Sequence, residues 1–431
     1  MFGALASRLQ TMISLRKVLF SVVLASGAIV VLGPHAAWAQ EYTVLVKGVH
    51  VIDPKNNRDG VMDVAIADGK IARVAPNIPE SNAKMTVNAR GLYVTPGLVD
   101  LHVHVYAGTG EADSFAGDSS IYPDGYAVRS GVTTVVDAGS SGWKNFPDFK
   151  SRVIDRAMTR VLAMLNIVGS GMGGGETEQN TDDMDAAATA KVAKQYPGII
   201  VGVKSAHYRP ANWISVDRAV EAGRLAGIPM MVDFGGSVPE RSFEDLVLNH
   251  LRPGDIVTHM YVRRYPVFGP DGNLLQHMLK ARERGVKFDV GHGNTSFSWQ
   301  KAIHAIKIGW LPDSISTDAH VRSTLRSMKD FPTVVSKLLA AGLPLKAAIE
   351  MSTVAPAKII SRPDLGHLDV GAVADVTVLR LNKGEYGFPD GSNVRYPATE
   401  KLECELTIRA GEVIWDLNGM TGTPFTEGTQ P

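Results

Sequence analysis

Short apolar runs alternate with amphipathic stretches between residues 95 and 362. Continuous apolar runs rich in β-branched residues are typical of strands covered on both faces, and their alternation with helical stretches predicts a parallel sheet flanked by helices. The candidate strands are residues 98–105, 132–137, 161–168, 199–204, 229–234, 256–259, 288–290 and 314–318. Eight such units predict an α/β fold, a (β/α)8 TIM-type barrel over residues 95–362.

The chain on either side of this region has short alternating strands joined by tight turns. The Asp68-Gly69 dipeptide is a strong hairpin signal, and Ala410-Gly411 marks a similar turn near the other end. We interpret residues 40–94 and 363–416 as two halves of one small, discontinuous β-sandwich, with the barrel inserted between them. Residues 417–431 show no periodicity, which predicts a flexible tail.

Residues 1–39 have the order of features found in a secretory signal peptide. Basic residues precede an apolar stretch at 18–33, and small residues at 37 and 39 form a cleavage motif. We expect cleavage near Gln40 and an exported protein, periplasmic or secreted, with no membrane attachment afterwards; an uncleaved anchor is the alternative. Cys404 is the only cysteine, so no internal disulfide can form although export would permit one.

The composition is that of an ordinary globular protein, with 45% hydrophobic and 20% charged residues. Lysine plus arginine (44) equal aspartate plus glutamate (44), so no net positive field favours nucleic acid or an anionic membrane. We therefore expect a small-molecule substrate and no nucleic-acid partner. The sequence leaves homo-oligomerisation open.

Residues that can bind metal stand at the ends of several candidate strands. His102 and His104 are two positions apart, so their side chains project from the same face of one strand. Later strands end in Lys204, His259 and Asp318. Because barrels of this kind place their chemistry at the carboxyl ends of the strands, these side chains are expected to converge. Imidazole and carboxylate are good ligands for a zinc-like ion, and the pattern predicts metal-assisted hydrolysis.

A two-metal site needs a bridging group, and no spare carboxylate ends the fourth strand. Lys204 stands there instead, within Gly-Val-Lys-Ser. A buried lysine that has lost its proton can take up carbon dioxide and form a carbamate. Such a carbamate would bridge two cations as a carboxylate does.

The chain resembles the amidohydrolase superfamily, and within it the dihydroorotase-like amidohydrolase/deacetylase branch. The matching motifs are Pro96–His104, Lys204, Thr258-His259, Asp289–Gly293 and Ser316–Asp318. The resemblance implies two divalent ions, usually zinc. It also implies that His102 and His104 bind the more buried ion, that Lys204 bridges as its carbamate, that His259 holds the second ion, and that Asp318 completes the site and handles protons as the catalytic residue.

One position departs from the family pattern. The family usually has a second-metal histidine at the end of strand five, where this chain has Asp233. An aspartate can still bind metal through a harder oxygen donor. Asp233 as a ligand is the main hypothesis, beside a mononuclear or weakly loaded second site and a supporting role for Asp233. His207, near Lys204 in the sequence, is a weaker candidate for the missing ligand.

The branch resemblance suggests a hydrolase that removes an acyl group from a small hydroxy- or amino-acid derivative, by cleavage of a C–N bond other than a peptide bond or of an ester. A substrate carboxylate requires a cation near the barrel mouth. The candidates for substrate contact are His292, His320, Arg322 and Arg209. Alternatives are a dihydroorotase-like cyclic amide hydrolase, an exported metal-dependent dipeptidase, and a catalytically silent barrel that acts as a binding protein.

A glycine-rich segment at residues 169–174 formally matches a dinucleotide-binding fingerprint. It follows the third strand rather than a first one, and Glu176 and Glu178 come next, which would repel a pyrophosphate. An active-site loop explains the segment better. The pattern of a serine-hydrolase nucleophile elbow is also missing, since Gly139–Gly142 is one residue short of it.

Overall fold

The structure is a computed structural model that describes residues 40–108 and 110–425. The predicted signal peptide and the last six residues of the predicted tail lie outside this range. The strands are β1 (Tyr42–Asp53), β2 (Arg58–Ala67), β3 (Lys70–Ala75), β4 (Ala83–Asn88), β5 (Tyr93–Pro96), β6 (Leu98–Val103), β7 (Val132–Gly142), β8 (Arg160–Asn166), β9 (Ile200–Ala206), β10 (Met230–Asp233), β11 (Ile256–Val257), β12 (Lys287–Phe288), β13 (Val376–Pro389), β14 (Arg395–Arg409) and β15 (Glu412–Asp416).

The helices are short and mostly lie between the strands of the middle region. They are α1 (Pro123–Tyr126), α2 (Phe146–Phe149), α3 (Ala186–Gln195), α4 (Ile214–Ala226), α5 (Phe243–Asp245), α6 (Gln276–Glu283), α7 (Trp299–Lys307), α8 (Val321–Leu325), α9 (Phe331–Ala340), α10 (Leu345–Glu350) and α11 (Val354–Ile359). Among these described helices, none has the length and apolarity needed to cross a bilayer.

Strands β6 to β12 form one parallel sheet in chain order. Every residue of β7 and β9 is buried, as expected for strands covered on both faces. The eighth predicted strand is an extended segment at 314–319 with only isolated parallel bridges, from Asp289 to Ser314 and from Val103 to Ala319. These bridges place it between β12 and β6. Asp318 has a left-handed backbone (φ 50°), which interrupts a regular ladder.

The remaining strands form a separate mixed sheet in the order β15-β14-β13-β5-β1-β2-β3, with β4 paired to β1. The antiparallel pairing of β5 with β13 joins the N-terminal and C-terminal segments in this one sheet. The predicted turn between β2 and β3 is present, with positive φ at Asp68 (50°) and Gly69 (72°). The two-layer packing of a sandwich stays a prediction.

The hairpin of β13 and β14 reaches from the mixed sheet to the loop before α7. The Trp299 indole Nε1 donates to the Phe388 carbonyl at 2.8 Å, and the Gly391 N–H donates to the Phe297 carbonyl at 2.9 Å. Lys337 on α9 donates from Nζ to the Pro389 carbonyl at 2.7 Å. The hairpin tip therefore braces a loop whose first residues reach the cavity described next.

Candidate metal centre

The two histidines at the end of β6 face one buried point. His102 and His104 have ring centroids 5.4 Å apart, and both side chains are almost fully buried. Asp318, on the extended segment beside β6, brings Oδ1 to 3.2 Å from His104 Nε2 and 3.5 Å from His102 Nε2. Burial alone would raise the pKa of Asp318, but the adjacent imidazoles outweigh it and hold that pKa well below its ordinary value. Asp318 is thus a carboxylate at neutral pH.

Lys204 enters the same point from β9 and is fully buried. Its Nζ lies 3.1 Å from His102 Nε2 and 3.4 Å from the Met231 sulfur. Burial lowers the pKa of the Lys204 amine, although nearby carboxylates oppose the shift. Gly139 gives the lysine room, since a Cβ there would lie 2.7 Å from Lys204 Cβ. The site therefore shifts the Lys204 amine toward its neutral form.

His259 follows β11, and its ring centroid lies 5.3 Å from that of His102. Its Nδ1 donates to the Gly291 carbonyl at 2.5 Å, and because a carbonyl can only accept, the neutral imidazole would direct its Nε2 lone pair toward the cavity. That Nε2 lies 3.3 Å from Asp233 Oδ2, at the end of β10. Asp233 Oδ1 accepts from the Arg264 guanidinium at 3.0 Å.

The orientation of His102 is fixed by a buried chain of hydrogen bonds. The Thr258 hydroxyl donates to Asp289 Oδ2 at 2.8 Å and so accepts from His102 Nδ1 at 3.0 Å. The fully buried Asp289 also accepts from the Ser314 and Ser316 hydroxyls at 2.6 Å each. This chain leaves the Nε2 lone pair of His102 directed at the centre, the arrangement typical of metal-binding histidines.

The donor set fits a divalent ion of the zinc type. Among the described residues, His102, His259 and Asp318 each offer one donor atom, and these atoms lie within 4.8 Å of one another. Imidazole nitrogen and carboxylate oxygen are the ligands that zinc takes in proteins. The centre lies in a cavity of about 340 Å³.

The four residues predicted to contact substrate fall into two groups. His320 and Arg322 line the cavity, where Arg322 pairs with Asp113 at 2.5 Å. His292 lies behind the wall, because its ring stacks on Phe297 and its Nε2 accepts from Lys337 Nζ at 2.9 Å. Arg209 also lies outside the cavity lining, because its exposed guanidinium pairs with Glu176 at 2.8 Å.

Sequence reasoning missed several residues of the site. Phe115 packs against the rings of His104, His207 and His320, with centroids 4.4, 5.4 and 4.9 Å away. Arg264 lines the cavity beside Asp233. Neither residue follows a strand with a recognisable period, so only their closeness in sequence to predicted ligands could have indicated them.

Comparison with known proteins identifies the family. The model of the amidohydrolase family matches residues 293–414. A deacetylase of Agrobacterium fabrum is 34% identical over 322 residues, which cover 73% of this chain and 77% of that protein. The chain belongs to the amidohydrolase family.

Two solved structures extend this likeness to the fold of the amidohydrolase. One, titled an adenine deaminase, has a TM-score of 0.79 and 28% identity, and covers 87% of this chain and all of that chain. Another, titled a dihydroorotase, has a TM-score of 0.73 and 29% identity, with coverages of 86% and 99%. These neighbours imply a TIM-type barrel, in agreement with the curled parallel sheet. The chain is thus a hydrolase of a family that acts on C–N bonds of small molecules and generally uses a metal centre.

Proposed function

We propose that this amidohydrolase is a metal-dependent deacetylase that cleaves an amide or ester bond of a small carboxylate-bearing substrate. The observation that carries the proposal is the convergence of His102, His104 and Asp318 around the buried Lys204 amine. The deacetylase name of the Agrobacterium fabrum relative supports the acyl-group assignment.

We propose two zinc ions, with His102, His104 and Asp318 toward the first and His259 and Asp233 toward the second. Such ions supply a Lewis acid and a water of lowered pKa. Lys204 would bridge them as a carbamate: the neutral amine adds to carbon dioxide, an N–C bond forms while one C=O π bond opens to a carboxylate oxygen, and the nitrogen releases one proton to water. Burial of Lys204 favours this step because only the uncharged amine is a nucleophile.

Asp318 has the properties of a proton carrier for hydrolysis. Its depressed pKa keeps it able to accept the proton of the attacking water, and its Oδ1 lies at the point that His102 and His104 face. It would then return the proton to the leaving amine or alcohol. Arg322 and His320 at the cavity wall would hold the substrate carboxylate.

The proposal is tested by metal content and hydrolysis measured on the same preparation. We expect two ions per chain, turnover of acetylated α-hydroxy acids or N-acyl amino acids, and fewer ions in Lys204→Ala. Added bicarbonate should raise the metal content that the metal-stripped wild type regains, and it should have no effect on the metal content of Lys204→Ala. A metal content of Lys204→Ala equal to that of wild type would eliminate the carbamate bridge.

A substrate panel separates the rival activities. The dihydroorotase title of a solved structure at 29% identity favours cyclic amides as the second candidate. Dipeptides test the peptidase alternative. A fully loaded protein that hydrolyses none of these classes would support the silent barrel and refute the proposal.

A further inference from the structure

His207 comes directly after β9 and brings its imidazole to the second half of the centre. Its Nε2 lies 3.4 Å from Asp233 Oδ2, the oxygen that His259 Nε2 approaches at 3.3 Å. Two imidazoles thus approach the same oxygen of Asp233. All three residues line the cavity.

The other nitrogen of His207 is held from behind by a buried carboxylate. His207 Nδ1 donates to Glu178 Oε2 at 2.7 Å, and Glu178 is only 5% exposed. Because a carboxylate accepts, Nδ1 carries a proton, so the Nε2 lone pair of the neutral imidazole would be the one available to a metal. Histidines that bind metal characteristically donate their second N–H to a carboxylate or carbonyl in this way. His207 therefore has the same two-sided arrangement as His259.

The backbone at His207 also resembles that of other residues at the centre. His207, His259 and Asp318 all have positive φ, at 56°, 62° and 50°. Left-handed backbone is uncommon for residues other than glycine and is found where a site requires a particular side-chain direction. Gln179 holds this turn, since its Nε2 donates to the His207 carbonyl at 3.1 Å and its Oε1 accepts from the Arg209 N–H at 2.9 Å.

The glycine-rich segment at 169–175 supplies the support for this arrangement. The Gly174 N–H donates to Glu178 Oε1 at 3.0 Å, which fixes the carboxylate that holds His207. Gly171 permits the close approach of the segment to β7, since a Cβ there would lie 2.1 Å from the Ser140 carbonyl. The segment therefore has a structural reason for its glycines that involves no nucleotide.

We propose that His207 is a ligand of the second metal ion, beside His259 and Asp233, and replaces the histidine expected at the end of strand five. Glu178 and the glycine-rich segment position it. The inference rests on the proposed function, because it assumes that the centre holds two ions.

Metal counting on purified full-length chain tests the inference. We expect two zinc ions per wild-type chain and one in His207→Ala, with a matching loss of part of the visible absorption of the cobalt-loaded protein. Glu178→Gln keeps an acceptor but removes its charge, so the second ion should bind roughly 10–100-fold more weakly. His250→Ala is the matched control, because it removes a histidine that pairs with a carboxylate, Asp217, outside the cavity.

Far-UV circular dichroism establishes that each variant is folded. A rescue variant then tests whether the second ion is lost because a ligand is missing rather than because the site has been distorted. In the His207→Ala background, Asp233→His should restore the second ion. A folded His207→Ala that binds two ions with wild-type affinity would overturn the inference and leave the proposed function intact. A wild type that binds only one ion at saturating zinc would overturn the inference as well. A wild type without metal and without hydrolysis would overturn the proposed function instead.

Discussion

The two halves of the proposed metal centre are built in different ways. In the first half, His102 and His104 belong to or directly follow a regular strand, and Asp318 lies across from them on the neighbouring segment. In the second half, His207 directly follows β9, His259 lies two residues beyond the short strand β11, and Asp233 is shared with Arg264. Strand periodicity determines the first half, whereas turns and buried hydrogen bonds determine the second.

The largest expected effect is a loss of kcat, and it should differ between the carboxylates of the two halves, Asp318 and Asp233. Asp318→Asn preserves shape but removes the proton acceptor, so kcat should fall roughly 10²–10⁴-fold. Steady-state kinetics on the best acyl substrate measure this loss. Asp233→Asn should cost less, because Asp233 is proposed to bind metal and not to carry protons. An equal loss of kcat in both variants at full metal loading would erase the distinction.

The next effect is a loss of metal affinity when the ring of His102, in the first half, loses the hydrogen bond that orients it. Thr258→Val removes the hydroxyl that accepts from His102 Nδ1 and leaves the volume unchanged. Metal affinity should fall roughly 10–100-fold, measured by competition with a chromophoric chelator. Ser205→Ala is the control, because this buried hydroxyl on β9 pairs with Ser215 rather than with a histidine. Equal affinities for Thr258→Val and wild type would show that strand geometry alone orients His102.

A smaller effect is expected at the cavity mouth, where the geometry and the sequence hypothesis differ. Arg322→Ala should raise KM roughly 10–100-fold for a carboxylate-bearing substrate, the effect of one charged hydrogen bond, with little change in kcat. Arg209→Ala should leave KM close to wild type, since that side chain pairs with Glu176 outside the cavity lining. The opposite ranking in initial-rate kinetics would restore the sequence hypothesis for Arg209.

The last prediction concerns stability rather than catalysis, and it lies behind the cavity wall, at Lys337. Burial lowers the pKa of Lys337 to about 7, although the Asp390 carboxylate opposes the shift. The unfolded chain keeps this proton up to the ordinary pKa of 10.5, whereas the folded chain releases it near pH 7. The folded state should therefore gain stability as pH rises from about 7, by at most about 1.4 kcal/mol per pH unit.

Urea unfolding midpoints measured across this pH range test the Lys337 prediction. The variant Lys337→Met should lose the rise in stability with pH. A Lys337→Met chain with the wild-type pH slope would assign the effect to another group.

The sequence predicted the hydrolase family, the parallel sheet and the strand-end positions of the metal-binding side chains. The family was predicted from the resemblance of the motifs, whereas the sheet and the strand-end positions could be predicted because apolar alternation and the His-Val-His spacing depend on local geometry. It placed His292 and Arg209 at the substrate because both follow strands, but long-range partners, Lys337 and Glu176, hold them elsewhere. Arg264 and Glu178 reach the centre through loops whose paths depend on tertiary contacts, so no spacing rule indicates them.

The brace between the β13–β14 hairpin and the loop before α7 has a consequence for synthesis. All the proposed ligands are encoded before residue 319, but the segment at 294–299 acquires its supports at Phe388 and Gly391 only when the ribosome has added some seventy further residues. A nascent chain therefore possesses every metal-binding side chain well before it has a finished substrate pocket. Completion of the cavity wall thus depends on a part of the chain that is synthesised long after the proposed ligands.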